Sequence, residues 1–85
     1  MNLEDFKVKY ILKLGEVEQL LLEKYPDKKE RIVFLCNLLE SKLENLELHN
    51  MHDYLATIFH SKEEFPEIME LWPWDYEVEQ LLQNK

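Results

Sequence analysis

The sequence predicts an all-α fold, a small bundle in which two long antiparallel helices, about residues 3–24 and 28–48, are closed by two or three short helices. Apolar residues recur at three- and four-residue steps along both long stretches, which is the spacing of one helix face. The chain has one glycine, so tight turns are few, and no stretch shows a convincing strand pattern. Its 85 residues predict a single helical domain, 1–85.

The first predicted helix carries a regular apolar stripe and ends at Tyr25-Pro26, because a residue before proline avoids the helical backbone conformation. Gly15 lies in the middle of this helix, where glycine costs about 1 kcal/mol relative to alanine. Two interpretations of Gly15 stay open, namely the close approach of another helix and a kink or break. The stripe consists of Leu3, Phe6, Tyr10, Leu14, Val17, Leu21 and Tyr25.

The second predicted helix starts near Asp27 and Glu30, whose spacing is close to that of a capping box. Several apolar residues fall outside its main stripe, so its first half is apolar on almost every side. Such a helix is either central in the fold or covered by a second subunit. The stripe consists of Ile32, Leu35, Cys36, Leu39, Leu43 and Leu46. The predicted self-association surface consists of Val8, Ile11, Val33, Phe34 and Leu38.

Three short helices are expected after residue 48. Asn50 is the predicted cap of the first, Pro66 precedes the second at about residues 67–71, and Asp75 is the predicted cap of the last. The residues expected to point inward are Met51, Tyr54, Leu55, Ile58 and Phe59 in the first helix, and Val78, Leu81 and Leu82 in the last.

Charge is distributed unevenly along the chain. Residues 1–42 hold eight Lys/Arg and eight Asp/Glu, whereas residues 43–85 hold two lysines and ten Asp/Glu, so the net charge of −8 lies entirely in the second half. This half repels a phosphate backbone, which argues against direct nucleic-acid binding. It attracts a basic protein surface and speeds association with it.

The location expected from the sequence is the cytoplasm. The first residues, MNLEDFKVKY, are charged and do not resemble a signal peptide. No apolar run approaches the roughly 20 residues that span a membrane, so no membrane partner is expected. A single cysteine, Cys36, forms no internal disulfide, and a reducing compartment is the default.

The sequence predicts neither catalysis nor a cofactor. Cys36 lies on an apolar stripe, where a buried and unreactive thiol is usual, and one glycine leaves no phosphate-binding loop. The segment HNMHD and a later histidine supply zinc or iron ligand types, but along a helix His60 lies roughly 10 Å beyond Asp53. No metal site is therefore expected at His49, His52, Asp53 and His60.

The segment ELWPWDYEVE, residues 70–79, places both tryptophans of the chain among acidic residues. In one interpretation Trp72 and Trp74 anchor the last helix to the core, and the acidic residues form its solvated side. In the other the segment is a docking surface, because Trp and Tyr are enriched at interface hot spots and acidic neighbours steer a basic partner. The predicted partner-binding residues are Trp72, Trp74, Asp75, Tyr76 and Glu77, with Glu67 and Glu70 as steering charges.

These observations favour a non-catalytic, acidic protein-binding module. The acidic, aromatic-bearing helical surface resembles that of small immunity proteins, antitoxins and phage-encoded inhibitors as a class, by composition alone. The acidic half beside the aromatic residues predicts that the chain occludes a basic site of a partner protein, including one that binds nucleic acid. The alternative is a helical homodimeric adaptor, chaperone or assembly protein that acts through its apolar helix face.

Overall fold

The computed structural model describes residues 2–83, and within this range every regular element is helical. The prediction of an all-helical small bundle is confirmed. The bundle measures 43 × 20 × 20 Å, and within the described range no helix is long and apolar enough to cross a membrane. The α-helices are α1 (Leu3–Lys24), α2 (Lys29–Glu44), α3 (Met51–Ser61) and α4 (Asp75–Gln83), and the 3-10 segments are Pro26–Lys28, Leu48–Asn50 and Pro66–Leu71.

Helix α1 is continuous through Gly15 and ends at Lys24, as the proline at residue 26 predicts. It begins at Asn2, whose Oδ1 accepts a hydrogen bond from the backbone N–H of Asp5 at 2.8 Å. A Cβ atom added at Gly15 meets nothing within 4 Å, so neither the close approach of another helix nor a break describes this position. The buried stripe of α1 is Phe6, Tyr10, Leu14, Val17 and Leu21.

Helix α2 ends at Glu44, four residues earlier than predicted. Asparagine side chains compete with helical backbone hydrogen bonds, and here Asn45 Nδ2 donates to the carbonyl oxygen of Ser41 at 2.9 Å. Asn50 Oδ1 then accepts from the backbone N–H of Glu47 at 2.8 Å, which directs the chain into the 3-10 segment. Asn50 therefore precedes α3 as predicted, but its side chain does not cap that helix.

The two long helices pack along each other and form most of the core. Near the beginning of α1, Lys7 Nζ donates to the carbonyl oxygen of Glu44, the last residue of α2, at 3.3 Å. Buried residues of α2 complete the core against α1, and these are Ile32, Leu35, Cys36, Leu39 and Leu43.

The later elements cover one side of this pair. Tyr54 of α3 is buried and its hydroxyl donates to the carbonyl oxygen of Leu71 at 3.0 Å, which joins α3 to the Pro66–Leu71 segment. Two predictions of inward residues are wrong, because Phe59 and Leu82 are about half exposed. Lys62 Nζ lies 4.0 Å from the centroid of the Phe59 ring, so a cation covers part of that ring at the surface instead of core residues.

Candidate protein-binding site

Both tryptophans lie at the surface. Trp72 is 37% exposed and Trp74 is 63% exposed, whereas Pro73 between them is buried. The interpretation in which the rings anchor the core does not hold for Trp74, whereas more than half of the Trp72 surface is covered. Asp75 and Tyr76 are also exposed, so three of the four residues predicted at 74–77 present their side chains to solvent.

Glu77 is the exception, because its side chain is fully buried. Lys9 Nζ donates to its Oε2 at 2.7 Å and the Tyr10 hydroxyl donates to its Oε1 at 2.6 Å. The backbone N–H of Trp74 also donates to Oε1, at 3.1 Å. The prediction that Glu77 lies on the docking surface does not fit this position, since its carboxylate is enclosed by donors from its own chain.

The sequence contains a signal for this role of Glu77. The carbonyl oxygen of Trp74 accepts hydrogen bonds from the backbone N–H groups of Glu77 and Val78, so Trp74 occupies the N-cap position of α4. A Glu three residues after the N-cap often returns its side chain to the N-cap backbone N–H. Asp75, the predicted cap, instead lies in the first turn.

The surroundings of Glu77 favour its ionised form. Burial raises its pKa, but hydrogen bonds from Lys9, Tyr10 and the Trp74 backbone outweigh burial, and the pKa lies below its usual value. Burial and the neighbouring carboxylate raise the pKa of Tyr10 in turn. An ionised Glu77 therefore holds the beginning of α4, and with it Trp74, against α1.

A groove between α1 and the segment 66–74 lies beside the two indole rings. It consists of two hollows, one of about 200 Å³ and the other of about 380 Å³. Lys13 and Glu70 line both hollows, and Lys13 Nζ lies 3.5 Å from the carbonyl oxygen of Glu70. The first hollow is further lined by Glu16, Val17, Leu20 and Glu67, and the second by Pro66, Met69, Trp72, Pro73 and Trp74.

The two predicted steering charges differ in their surroundings. Glu67 pairs with Lys24 and accepts hydrogen bonds from the Tyr25 hydroxyl at 3.2 Å. The hydrogen bond from Lys24 lowers the pKa of Glu67, and Glu67 raises that of Lys24. Glu70 is exposed, and its carboxylate makes no ion pair within residues 2–83. Glu16, across the groove, is likewise exposed and unpaired in the described part of the chain.

The predicted self-association residues differ in their exposure. Val8, Phe34 and Leu38 are exposed, whereas Ile11 and Val33 are partly buried. Because Lys7, next to Val8, contacts Glu44, Val8 lies near the end of α2. Phe34 is ten residues earlier in α2, a distance of about 15 Å along the helix axis.

The histidines and the cysteine have ordinary structural surroundings. His49 Nδ1 lies 3.2 Å from Glu47 and His52 Nε2 lies 3.3 Å from Asp53, and no cluster of three metal-ligating side chains is found in the described range. Cys36 is buried, and burial raises the pKa of its thiol to about 12. The thiol therefore stays protonated at neutral pH and is a poor nucleophile.

Comparison with protein-family models, curated proteins and solved structures yields no match. No relative therefore transfers a function to this chain, and its own surface is the basis for proposing one.

Proposed function

We propose that this chain is a non-catalytic protein-binding module that acts in the cytoplasm. It occludes a basic surface of a partner protein, including one that binds nucleic acid, as inhibitors, antitoxins and immunity proteins do. The single observation that supports this most is the exposure of Trp72 and Trp74 beside a groove that carries unpaired carboxylates.

The two indole rings are expected to supply much of the binding energy, because they are large and held rigidly. Buried Trp side chains dominate the energy of many interfaces, and an exposed Trp buries a large apolar area when a partner covers it. The Trp72–Trp74 connection is stiffened by Pro73 and held at Trp74 by the Glu77 hydrogen bonds, so little conformational freedom is lost on binding.

Unpaired acidic side chains supply the attraction to a basic partner. Glu70, Asp75 and Glu79 are exposed, and they lie in the half of the chain that carries the whole net charge of −8. Exposed charges of this kind act mainly on the association rate, and salt screens them.

The test is capture of partners by the tagged chain from a lysate of its own host, at low and at high salt, with mass spectrometry of the bound fraction. We expect one basic protein that binds at low salt and is lost at high salt. Trp74→Ala should abolish capture, whereas Phe34→Ala, which removes an exposed ring on α2, should leave it unchanged. A partner whose affinity changes neither with salt concentration nor with Trp74→Ala would contradict the proposal.

The second candidate function is a homodimeric adaptor, chaperone or assembly protein. It is favoured by the exposure of Val8, Phe34 and Leu38, which the short helices leave uncovered. Sedimentation equilibrium distinguishes the two candidates, since a dimer that Phe34→Asp converts to a monomer would support self-association. A wild-type chain that stays monomeric at high protein concentration would exclude it.

A further inference from the structure

The groove beside the tryptophans has an apolar lining and a limited length. It follows α1 from Lys13 to Leu20, which is about 10 Å or two helical turns, and continues toward Trp74. The apolar side chains that line it are Val17, Leu20, Pro66, Met69, Trp72, Pro73 and Trp74.

The size of the groove fits side chains of a polypeptide better than a metabolite. Small-molecule sites are commonly clefts of about 300–1,000 Å³ with convergent polar groups. The first hollow, at about 200 Å³, is smaller than this range, and the second, at about 380 Å³, lies at its lower end. Both are lined by apolar groups and by carboxylates at their edges, without a buried polar group that would orient a metabolite.

Lys13 and Glu70 line both hollows, so the two hollows adjoin each other. A single occupant with two suitably spaced apolar side chains can place one in each hollow. On a helix, side chains three or four residues apart lie about 5–6 Å from each other, which suits adjoining hollows.

The charged side chains at the edges of the groove indicate the sign of the charge that its occupant carries. Glu67 is paired with Lys24. Lys13 contacts the Glu70 carbonyl and lies over the Tyr10 ring, and its single positive charge stands against the two carboxylates of Glu16 and Glu70. The carboxylates of Glu16 and Glu70 are exposed and free of ion pairs within the described residues. An occupant with Lys or Arg on both sides of its apolar residues pairs with these two carboxylates.

We propose that the groove binds a short, basic, amphipathic helix of the partner protein, with two bulky apolar side chains one turn apart in the two hollows and Lys or Arg against Glu16 and Glu70. This helix-in-groove mode is a common form of peptide recognition. The inference rests on the proposed function and adds the site and the chemistry of the partner segment.

A library of displayed random 16-residue peptides without Trp, panned on the full folded chain, tests the inference. Enriched peptides are expected to carry Lys or Arg around apolar residues spaced by three or four. Synthetic versions should change the fluorescence of Trp72 and Trp74, which are the two tryptophans of the chain, and should bind more weakly at high salt.

Two matched variants locate the binding site. Leu20 lines the groove and is 45% exposed, whereas Leu12 is 66% exposed on the same helix and is not among the groove residues. Leu20→Asp is expected to weaken peptide binding about tenfold or more, and Leu12→Asp should change it less than about twofold. Glu16→Lys combined with Glu70→Lys should weaken binding of the basic peptides in the same way. Circular dichroism checks that each variant is folded.

Three other outcomes would overturn the inference. Peptides that tolerate both Leu20→Asp and the Glu16→Lys/Glu70→Lys pair, but not Tyr76→Ala, would place binding on the exposed face of α4, because Tyr76 is exposed and lies outside the groove. The groove would then be the wrong site, while the proposed function would stand. Enriched peptides that are acidic or uncharged would show that the partner chemistry is wrong. A failure to enrich any peptide, together with no partner captured from lysate, would count against both proposals.

Discussion

At the scale of single residues, the carboxylate of Glu77 lies between α1 and α4, where Lys9, Tyr10 and the Trp74 backbone all donate hydrogen bonds to it. A buried charge is tolerated when it is paired and fully hydrogen-bonded. This carboxylate therefore serves the stability of the fold and the placement of Trp74. Its sequence neighbours Tyr76 and Asp75 remain free for a partner.

Replacing Glu77 by Gln should lower the free energy of unfolding by about 1–3 kcal/mol. The neutral amide loses its attraction to Lys9, and its NH2 group cannot accept the hydrogen bonds that one of the carboxylate oxygens accepts. Urea denaturation measures this change. Glu79→Gln is the control, since Glu79 is exposed on the same helix and its replacement should change stability by less than about 0.5 kcal/mol. Equal effects of the two variants would show that Glu77 is not buried in an ion pair.

The pH dependence of stability should report the same carboxylate. The pKa of Glu77 is lower in the folded chain than its ordinary value of 4.5, so its ionisation stabilises the folded state above about pH 4.5. This contribution is lost as the pH falls through the folded pKa. The difference in unfolding free energy between wild type and Glu77→Gln should be constant from pH 5 to 7 and shrink below about pH 4.5.

A difference that stays unchanged down to pH 2.5 would contradict this assignment. Glu67, whose pKa is also lowered, contributes in the same direction. Glu67 is present in both the wild type and Glu77→Gln, so its contribution cancels in the difference between their unfolding free energies.

At the scale of elements, the long helices follow their sequence patterns closely, whereas the short ones depend on their neighbours. The buried stripe of α1 agrees with the predicted spacing of three and four residues. Phe59 and Leu82 have the spacing of inward residues but are exposed. A helix of 9 to 11 residues has few turns, and the position of its neighbours decides how wide its buried face is.

Gly15→Ala tests the continuity of α1. Because the helix is unbroken and an added Cβ meets nothing within 4 Å, the alanine should stabilise the protein by about 0.5–1 kcal/mol. Thermal and urea unfolding measure the gain. Unchanged or lower stability would show that a break or close packing exists at this position after all.

At the scale of the whole molecule, the acidic half of the chain supplies both the exposed indole rings and the net negative charge. Some of its carboxylates are neutralised by lysines of α1, as Glu77 is by Lys9 and Glu67 by Lys24. The electrostatic potential around the two indole rings therefore depends on the carboxylates that remain unpaired, among them Glu70 and Glu16.

Fluorescence quenching should detect this field. Trp74 is more exposed than Trp72, so acrylamide should quench the single-tryptophan variant Trp72→Phe more strongly than Trp74→Phe. At low salt the cation Cs⁺ should reach the rings more readily than the anion I⁻, because nearby carboxylates attract cations. High salt should reduce the difference between the two ions. Each ion is compared with its quenching of free N-acetyltryptophanamide, and on this normalised scale stronger quenching by I⁻ than by Cs⁺ would contradict an acidic environment.

The sequence by itself determined the helical class, the ends of α1 and the apolar stripes of the two long helices, because these follow from local spacing and from proline chemistry. It also determined which half of the chain is acidic. The tertiary structure decided which carboxylates are available, since Glu77 and Glu67 find their lysine partners 68 and 43 residues away along the chain. It likewise decided that the tryptophans border a groove, because α1 and the segment 66–74 meet only after the chain has folded back on itself. Local spacing carries no information about such distant contacts, which form when separate elements pack together.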